Sequence, residues 1–174
     1  MNFAPRPFAA LLVLLTLYTA AAAQEPSLRG TFVINRQASD DVNRAIEAAV
    51  ARLNFVTRPA VRGRLRKTNV AYDRLVIDYD RRTVSITTGQ RRPMESPSNG
   101  TPVKWAREDG EKFDLSTEWE GGILEQTLKG GGAEQRTNTF SISADGRTLT
   151  LNVVVSSPKL PKPLTYKLVF NRAA

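Results

Sequence analysis

The chain has 174 residues, with 25 Lys and Arg against 17 Asp and Glu, a formal net charge of +8, and neither histidine nor cysteine. Lacking cysteine, it has no disulfide framework, no lipid attachment at a cleavage-site thiol and no thiol nucleophile; lacking histidine, it loses the commonest general base and most zinc chemistry. The surplus of cations points to anionic partners such as a membrane surface, a cell-wall polymer or an acidic ligand, with a basic surface that merely keeps the protein soluble as the plain alternative.

The first residues read as an export signal. Arg6 precedes an apolar run over 8–19, and Ala21-Ala22-Ala23 supplies small residues before Gln24, so residues 1–23 form a secretory signal peptide. About 12 apolar residues fall short of the roughly 20 that a membrane-spanning helix needs. The expected destination is periplasmic or extracellular, where nucleic acid is the least expected partner. Residues 24–28 make a polar leader. Residues 29–172 make a single domain, long enough to bury about two-thirds of its unfolded surface.

A first strand is expected at about Arg29–Asn35, with Phe32 and Ile34 on one face. Next comes an amphipathic helix over about Asp40–Phe55, where Val42, Ala45, Ile46, Ala49, Val50 and Leu53 share a stripe and Ser39 or Asp40 caps the start. Arg58, Arg62, Arg64, Arg66 and Lys67 then crowd ten residues with no apolar period. Such a run reads as a solvated loop or edge strand, and its functional alternative is a docking patch for an anionic surface. Strands resume at Arg74–Asp80 and Thr83–Thr88 around a tight turn at Asp80-Arg81-Arg82. A short strand follows at about Arg91–Glu95, and then a loop in which Asn99-Gly100-Thr101 forms a turn.

From Thr101 to Val155 apolar and polar residues alternate through successive runs. These are broken at Asp109-Gly110, Gly121-Gly122, Gly130-Gly131-Gly132 and Asp145-Gly146, the pattern of an antiparallel meander. Three prolines make 156–163 a loop. A final strand, Leu164–Asn171, puts Leu164, Tyr166, Leu168 and Phe170 on one face, and its edge needs a partner. Pairing it with the first strand closes a barrel. The expected fold is an all-β, antiparallel up-and-down barrel of 8–10 strands with one amphipathic helix after the first strand.

Parity along these strands proposes a lining. If Phe140 and Ile142 face inward, so do Arg136 and Asn138; if Leu124 and Leu128 do, so does Gln126. An inward arginine needs a partner, water or a bound carboxylate, unless it sits at the rim and snorkels to solvent. Trp105 and Trp119 share the face of their apolar neighbours, where core packing and ligand stacking are both open to them. The carboxylate pairs Asp78 with Asp80 and Glu118 with Glu120 fall on the opposite, outer face. With Glu108 and Asp109 they form no catalytic constellation, so no enzyme, cofactor or metal is expected.

Several stretches are similar to a known group. Gly30-Thr31-Phe32, Trp119-Glu120-Gly121-Gly122 with Gln126-Thr127 and Arg136, Ser143-Ala144-Asp145-Gly146-Arg147-Thr148-Leu149-Thr150, and the closing Tyr166–Arg172 resemble the calycins, that is, lipocalins and fatty-acid-binding proteins. The chain most resembles the small exported bacterial proteins described as lipocalin-like, with Phe32 where their Gly-x-Trp motif carries Trp. A helix between the first two strands is more similar to the fatty-acid-binding branch, in which helices lid the cavity. The resemblance implies a barrel holding a small apolar or amphipathic ligand, with Arg136 and Tyr166 on its carboxylate. The reading that stands beside it is a barrel filled by its own side chains, acting through its basic exterior.

Overall fold

The period-two runs fold as strands, and the computed structural model describes them within residues 27–173. The signal peptide and the first three leader residues lie outside the described residues. In chain order the elements are β1 (Gly30–Ile34), α1 (Val42–Val50), α2 (Arg58–Thr68), β2 (Arg74–Tyr79), β3 (Thr83–Thr88), β4 (Met94–Pro97), β5 (Val103–Ala106), β6 (Lys112–Glu120), β7 (Ile123–Gly130), β8 (Gln135–Ile142), β9 (Thr148–Ser156) and β10 (Leu164–Arg172). They form one antiparallel sheet in the order β4-β3-β2-β1-β10-β9-β8-β7-β6-β5. First and last strands are therefore neighbours, with Phe32 opposite Arg172.

Between β4 and β5 the ladder is interrupted. Ser96 Oγ and Thr117 Oγ1, both buried, lie 2.6 Å apart across this seam, and the Gly100 N–H donates to the Thr117 carbonyl at 2.9 Å, so the barrel is nearly closed. The seam also explains a shift from expectation. β4 runs over Met94–Pro97, later than Arg91–Glu95, because Ser96 is buried there, and Pro97 is tolerated on an edge. At the β6–β7 hairpin, Gly121 and Gly122 both adopt left-handed φ (53° and 82°). A two-residue turn of this hand matches the twist of the strands.

Where β1 leaves the sheet, the upper backbone of β10 would be left unpaired, and the following segment supplies its partners. The Val169 N–H donates to Ser39 Oγ at 2.9 Å and the Lys167 N–H to Asp40 Oδ2 at 2.7 Å. Those two residues are thus not the helix cap. Asp41 is, accepting from the Asn43 and Arg44 N–H groups at 2.9 and 3.1 Å. Helix α1 buries Val42, Ile46, Ala49 and Val50 and stops at Val50, short of the expected Phe55.

The basic run is a helix, not a solvated loop or edge strand. Pro59 sits in the first turn of α2, where its missing N–H costs nothing. Arg58 donates to the Leu53 and Ala51 carbonyls at 2.6 and 2.8 Å, covering the end of α1. Val61 and Leu65, four residues apart, anchor α2 to the core. Its cations meet acids from elsewhere: Arg62 and Arg66 meet Glu47 of α1 at 3.0 and 2.9 Å, and Arg64 meets Glu111 and Glu134 at 2.6 and 2.7 Å. Of the five cations expected to form an anionic-surface patch, Arg62, Arg64 and Arg66 are thus paired within the protein.

Away from the helices large apolar side chains occupy the interior. Phe32, Val84, Leu124, Leu149 and Phe170 are fully buried, and Leu28, at the end of the leader, joins them. The Arg172 guanidinium lies 4.6 Å over the Phe32 ring and donates to the carbonyls of Ser27, Arg29 and Gly146 at 2.5–2.7 Å. Tyr79 and Trp119 stand at the ends of β2 and β6 far from α2, with their rings edge-on at 5.0 Å.

Candidate ligand-binding site

Under α2 the barrel opens into a cavity of about 450 Å³, inside the roughly 300–1,000 Å³ range of small-molecule sites. Its apolar wall comes from Val61 and Leu65 of α2, Ile86 and Met94, Trp105 and Phe113, and Leu128, Phe140, Leu151 and Val155. Leu160, from the proline-rich loop, closes one side of the mouth. Five strands of the meander, β5 to β9, therefore contribute the inward residues that parity selects.

Against that wall runs a line of polar side chains centred on Arg136. Its Nε donates to Asn138 Oδ1 at 2.9 Å, Nη1 to Asn69 Oδ1 at 2.9 Å and Nη2 to the Tyr166 hydroxyl at 3.1 Å. Asn69 is 4 % exposed and directly follows α2. Its amide nitrogen donates to the Leu65 carbonyl at 3.0 Å, which turns Oδ1 toward Arg136 and Tyr166. Burial pushes the Tyr166 phenol above its ordinary pKa, and the Arg136 charge and hydrogen bond partly offset this. Each of the three partners is neutral. Arg136 has five N–H groups, of which three are engaged, so two remain to offer.

Cations outnumber acids around the mouth. Arg91 donates to the Tyr72 hydroxyl at 3.1 Å with its guanidinium 5.1 Å over the same ring. Arg107 binds Asp109 and Glu111 at 2.8 and 2.5 Å, and its hydrogen bond holds the Asp109 carboxyl down to about 2. Across the opening, Arg64 ties α2 to both the β5–β6 and the β7–β8 turns through Glu111 and Glu134.

Of the residues expected to form the site, Arg136, Gln126, Asn138, Phe140 and Trp105 all line this cavity. Tyr166 stands behind Arg136 and supports it from outside the wall. Trp119 is at the opposite end, 36 % exposed against Tyr79, because the inward face of β6 continues past the floor of the cavity. Leu65, Asn69, Tyr72 and Arg91 were not foreseen. Leu65 is visible only as a Val61–Leu65 pair inside a basic run, and the other three sit in connections that carry no period.

No protein-family model matches the sequence, and no curated protein aligns with it significantly. Solved structures do. Fatty-acid-binding protein 1 of Echinococcus granulosus superposes with a TM-score of 0.55 at 15 % identity, covering 84 % of this chain and 98 % of that one. A Schistosoma mansoni fatty acid binding protein in complex with arachidonic acid gives 0.52 at 13 % identity, over 84 % and 96 %. A secretory abundant heat soluble protein of Ramazzottius varieornatus gives 0.56 at 10 % identity, over 86 % and 100 %. With ten antiparallel strands in a nearly closed barrel and two helices after the first strand, the chain has the calycin fold in its fatty-acid-binding-protein form.

Proposed function

We propose that the protein is a non-catalytic carrier that holds a small amphipathic acid inside the barrel, with the ligand carboxylate on Arg136. One observation carries this reading: a half-buried arginine with only neutral partners and two unengaged N–H groups lines an apolar cavity of about 450 Å³. A buried cation without a counter-ion is costly, and a carboxylate is the partner its fork fits best. Tyr166 and Asn69 position Arg136, while Trp105, Phe113 and Phe140 line the path of the chain. Two solved relatives in fold are named as fatty-acid-binding proteins, one of them in complex with arachidonic acid, which supports the same ligand class.

The N-terminal segment supports export, to the periplasm or the medium, and N-terminal sequencing of exported material starting at Gln24 would bear on it. The helical end of the barrel also carries Phe55 and Val56, 84 % and 70 % exposed, between α1 and α2. Together with Arg52 they suit brief contact with an anionic membrane from which the ligand is drawn. The cavity itself argues against a barrel filled by its own side chains.

Titration of the protein with a fluorescent long-chain fatty acid analogue tests the carrier reading. One saturable site is expected, weakened roughly 10- to 100-fold in Arg136→Met, the range for losing hydrogen bonds to a charged group. Absence of saturable binding, or equal binding by the variant, rejects Arg136 as the anchor of a carried acid.

A further inference from the structure

The polar line along the cavity wall has a direction. Arg136 can only donate, so its bond to Asn138 Oδ1 at 2.9 Å fixes which way the Asn138 amide faces. The Asn138 nitrogen then donates to Gln126 Oε1 at 2.9 Å, which fixes Gln126 in turn. The line therefore ends on Gln126 Nε2, a donor of two N–H groups. Gln126 is 0 % exposed, and this nitrogen has no hydrogen-bond partner. Turning either amide over gives no relief, since a donor would then meet the Arg136 or Asn138 donor.

An amide nitrogen buried without an acceptor is rare in folded proteins and calls for a specific explanation. Gln126, on β7, is among the residues that line the cavity, as are Ile86, Phe140 and Leu151, and among the described residues no acceptor lies within hydrogen-bond distance of its Nε2. It pairs with Asn138 one inward step below the Leu128–Arg136 pair, roughly 7 Å further down the barrel at the rise of a strand. The site thus offers two sets of unengaged donors: a cationic one on Arg136, and a neutral one deeper on Gln126, with apolar wall around both.

We propose that the ligand is an amphipathic acid with a second acceptor on its chain, a hydroxyl or oxo oxygen, that accepts from Gln126 Nε2. The inference rests on the carrier reading and narrows it from acids in general to chain-oxygenated acids. Gln126 is on this view a specificity-determining residue, because a plain hydrocarbon chain leaves its donors unanswered.

Calorimetric titration of the protein with octadecanoic acid, and with hydroxy- and oxo-octadecanoic acids oxygenated at successive chain positions, tests this. At least one regioisomer should bind roughly tenfold or more tightly than the parent acid, the effect of one satisfied buried donor. Gln126→Leu should lose that preference. Equal affinity for the parent and every regioisomer overturns the inference and leaves the carrier intact. A preference that survives in Gln126→Leu overturns it too, and no saturable binding of any acid removes both readings. Should the variant not fold, equal affinity across the series on the unaltered protein still overturns the inference.

Discussion

The two ends of the barrel are built from the same ten strands and do opposite things with them. Away from the helices, Phe32, Leu124, Leu149 and Phe170 fill the interior, and Arg172 spends its donors on the carbonyls of Ser27, Arg29 and Gly146. Under α2, the inward residues leave about 450 Å³ empty, and Arg136 keeps two donors unengaged. Each end has an arginine on an inner strand, yet one is consumed by backbone acceptors and the other is only steadied by neutral side chains. The difference separates what holds the fold from what is available for binding.

That division can be broken most directly at the packed end. Phe32 is fully buried among the core residues and beneath the Arg172 guanidinium. Phe32→Ala should cost about 3–5 kcal/mol by removing a buried aromatic and leaving a cavity. For a domain of this size that is roughly a 10 °C fall in melting temperature or somewhat more. Below the new melting point, affinity for the fatty acid analogue should be unchanged. A loss of affinity in a still-folded Phe32→Ala protein would mean that the two ends are coupled, and the comparison would fail.

How much of this was legible in the sequence depends on whether a residue sits in a periodic run. The inward positions of Arg136, Asn138, Gln126 and Phe140 follow from parity alone, because a strand alternates faces without exception between bulges. The pairing of first and last strands followed from an apolar C-terminal strand that needed an edge. Helix α2 did not show, because its stabilisation is tertiary: Arg64 reaches Glu111 and Glu134, 47 and 70 residues away in sequence. Asn69 and Arg91 lie in connections, where spacing carries no information about direction. Trp119 had the right parity but the wrong depth, since parity assigns a face and says nothing of where a cavity ends.

A smaller effect should come from the polar line at the open end. The Tyr166 phenol is pushed above its ordinary value of 10, chiefly by burial. In the unfolded chain the phenol releases its proton near 10 while the folded protein still holds it, so the folded state binds more protons and stability falls as pH rises. The contribution is complete below pH 10 and is lost as pH climbs through the raised folded value. In Tyr166→Phe that part of the alkaline decline should vanish. At neutral pH the variant should lose about 1.5–3 kcal/mol for the hydrogen bond with the charged Arg136. Denaturant melts of both proteins between pH 8 and roughly 11, which spans the ordinary phenol value, provide the check; parallel declines would show that Tyr166 is not the group responsible.

The smallest effect on stability belongs to the outer surface of the same end, and it separates holding a ligand from acquiring one. Phe55 and Val56 touch solvent rather than core, so replacing both with serine should leave stability within about 0.5 kcal/mol. Equilibrium affinity for a fatty acid in solution should also be unaltered, since neither residue lines the cavity. What should change is the rate at which the protein takes a fluorescent fatty acid from vesicles containing anionic lipid. Uptake by the unaltered protein should rise with vesicle concentration and fall with added salt, because charged surfaces attract less when screened. The Phe55→Ser, Val56→Ser protein should be slower under the same conditions. Equal rates for the two proteins would place uptake wholly in solution and leave the exposed pair without a part in it.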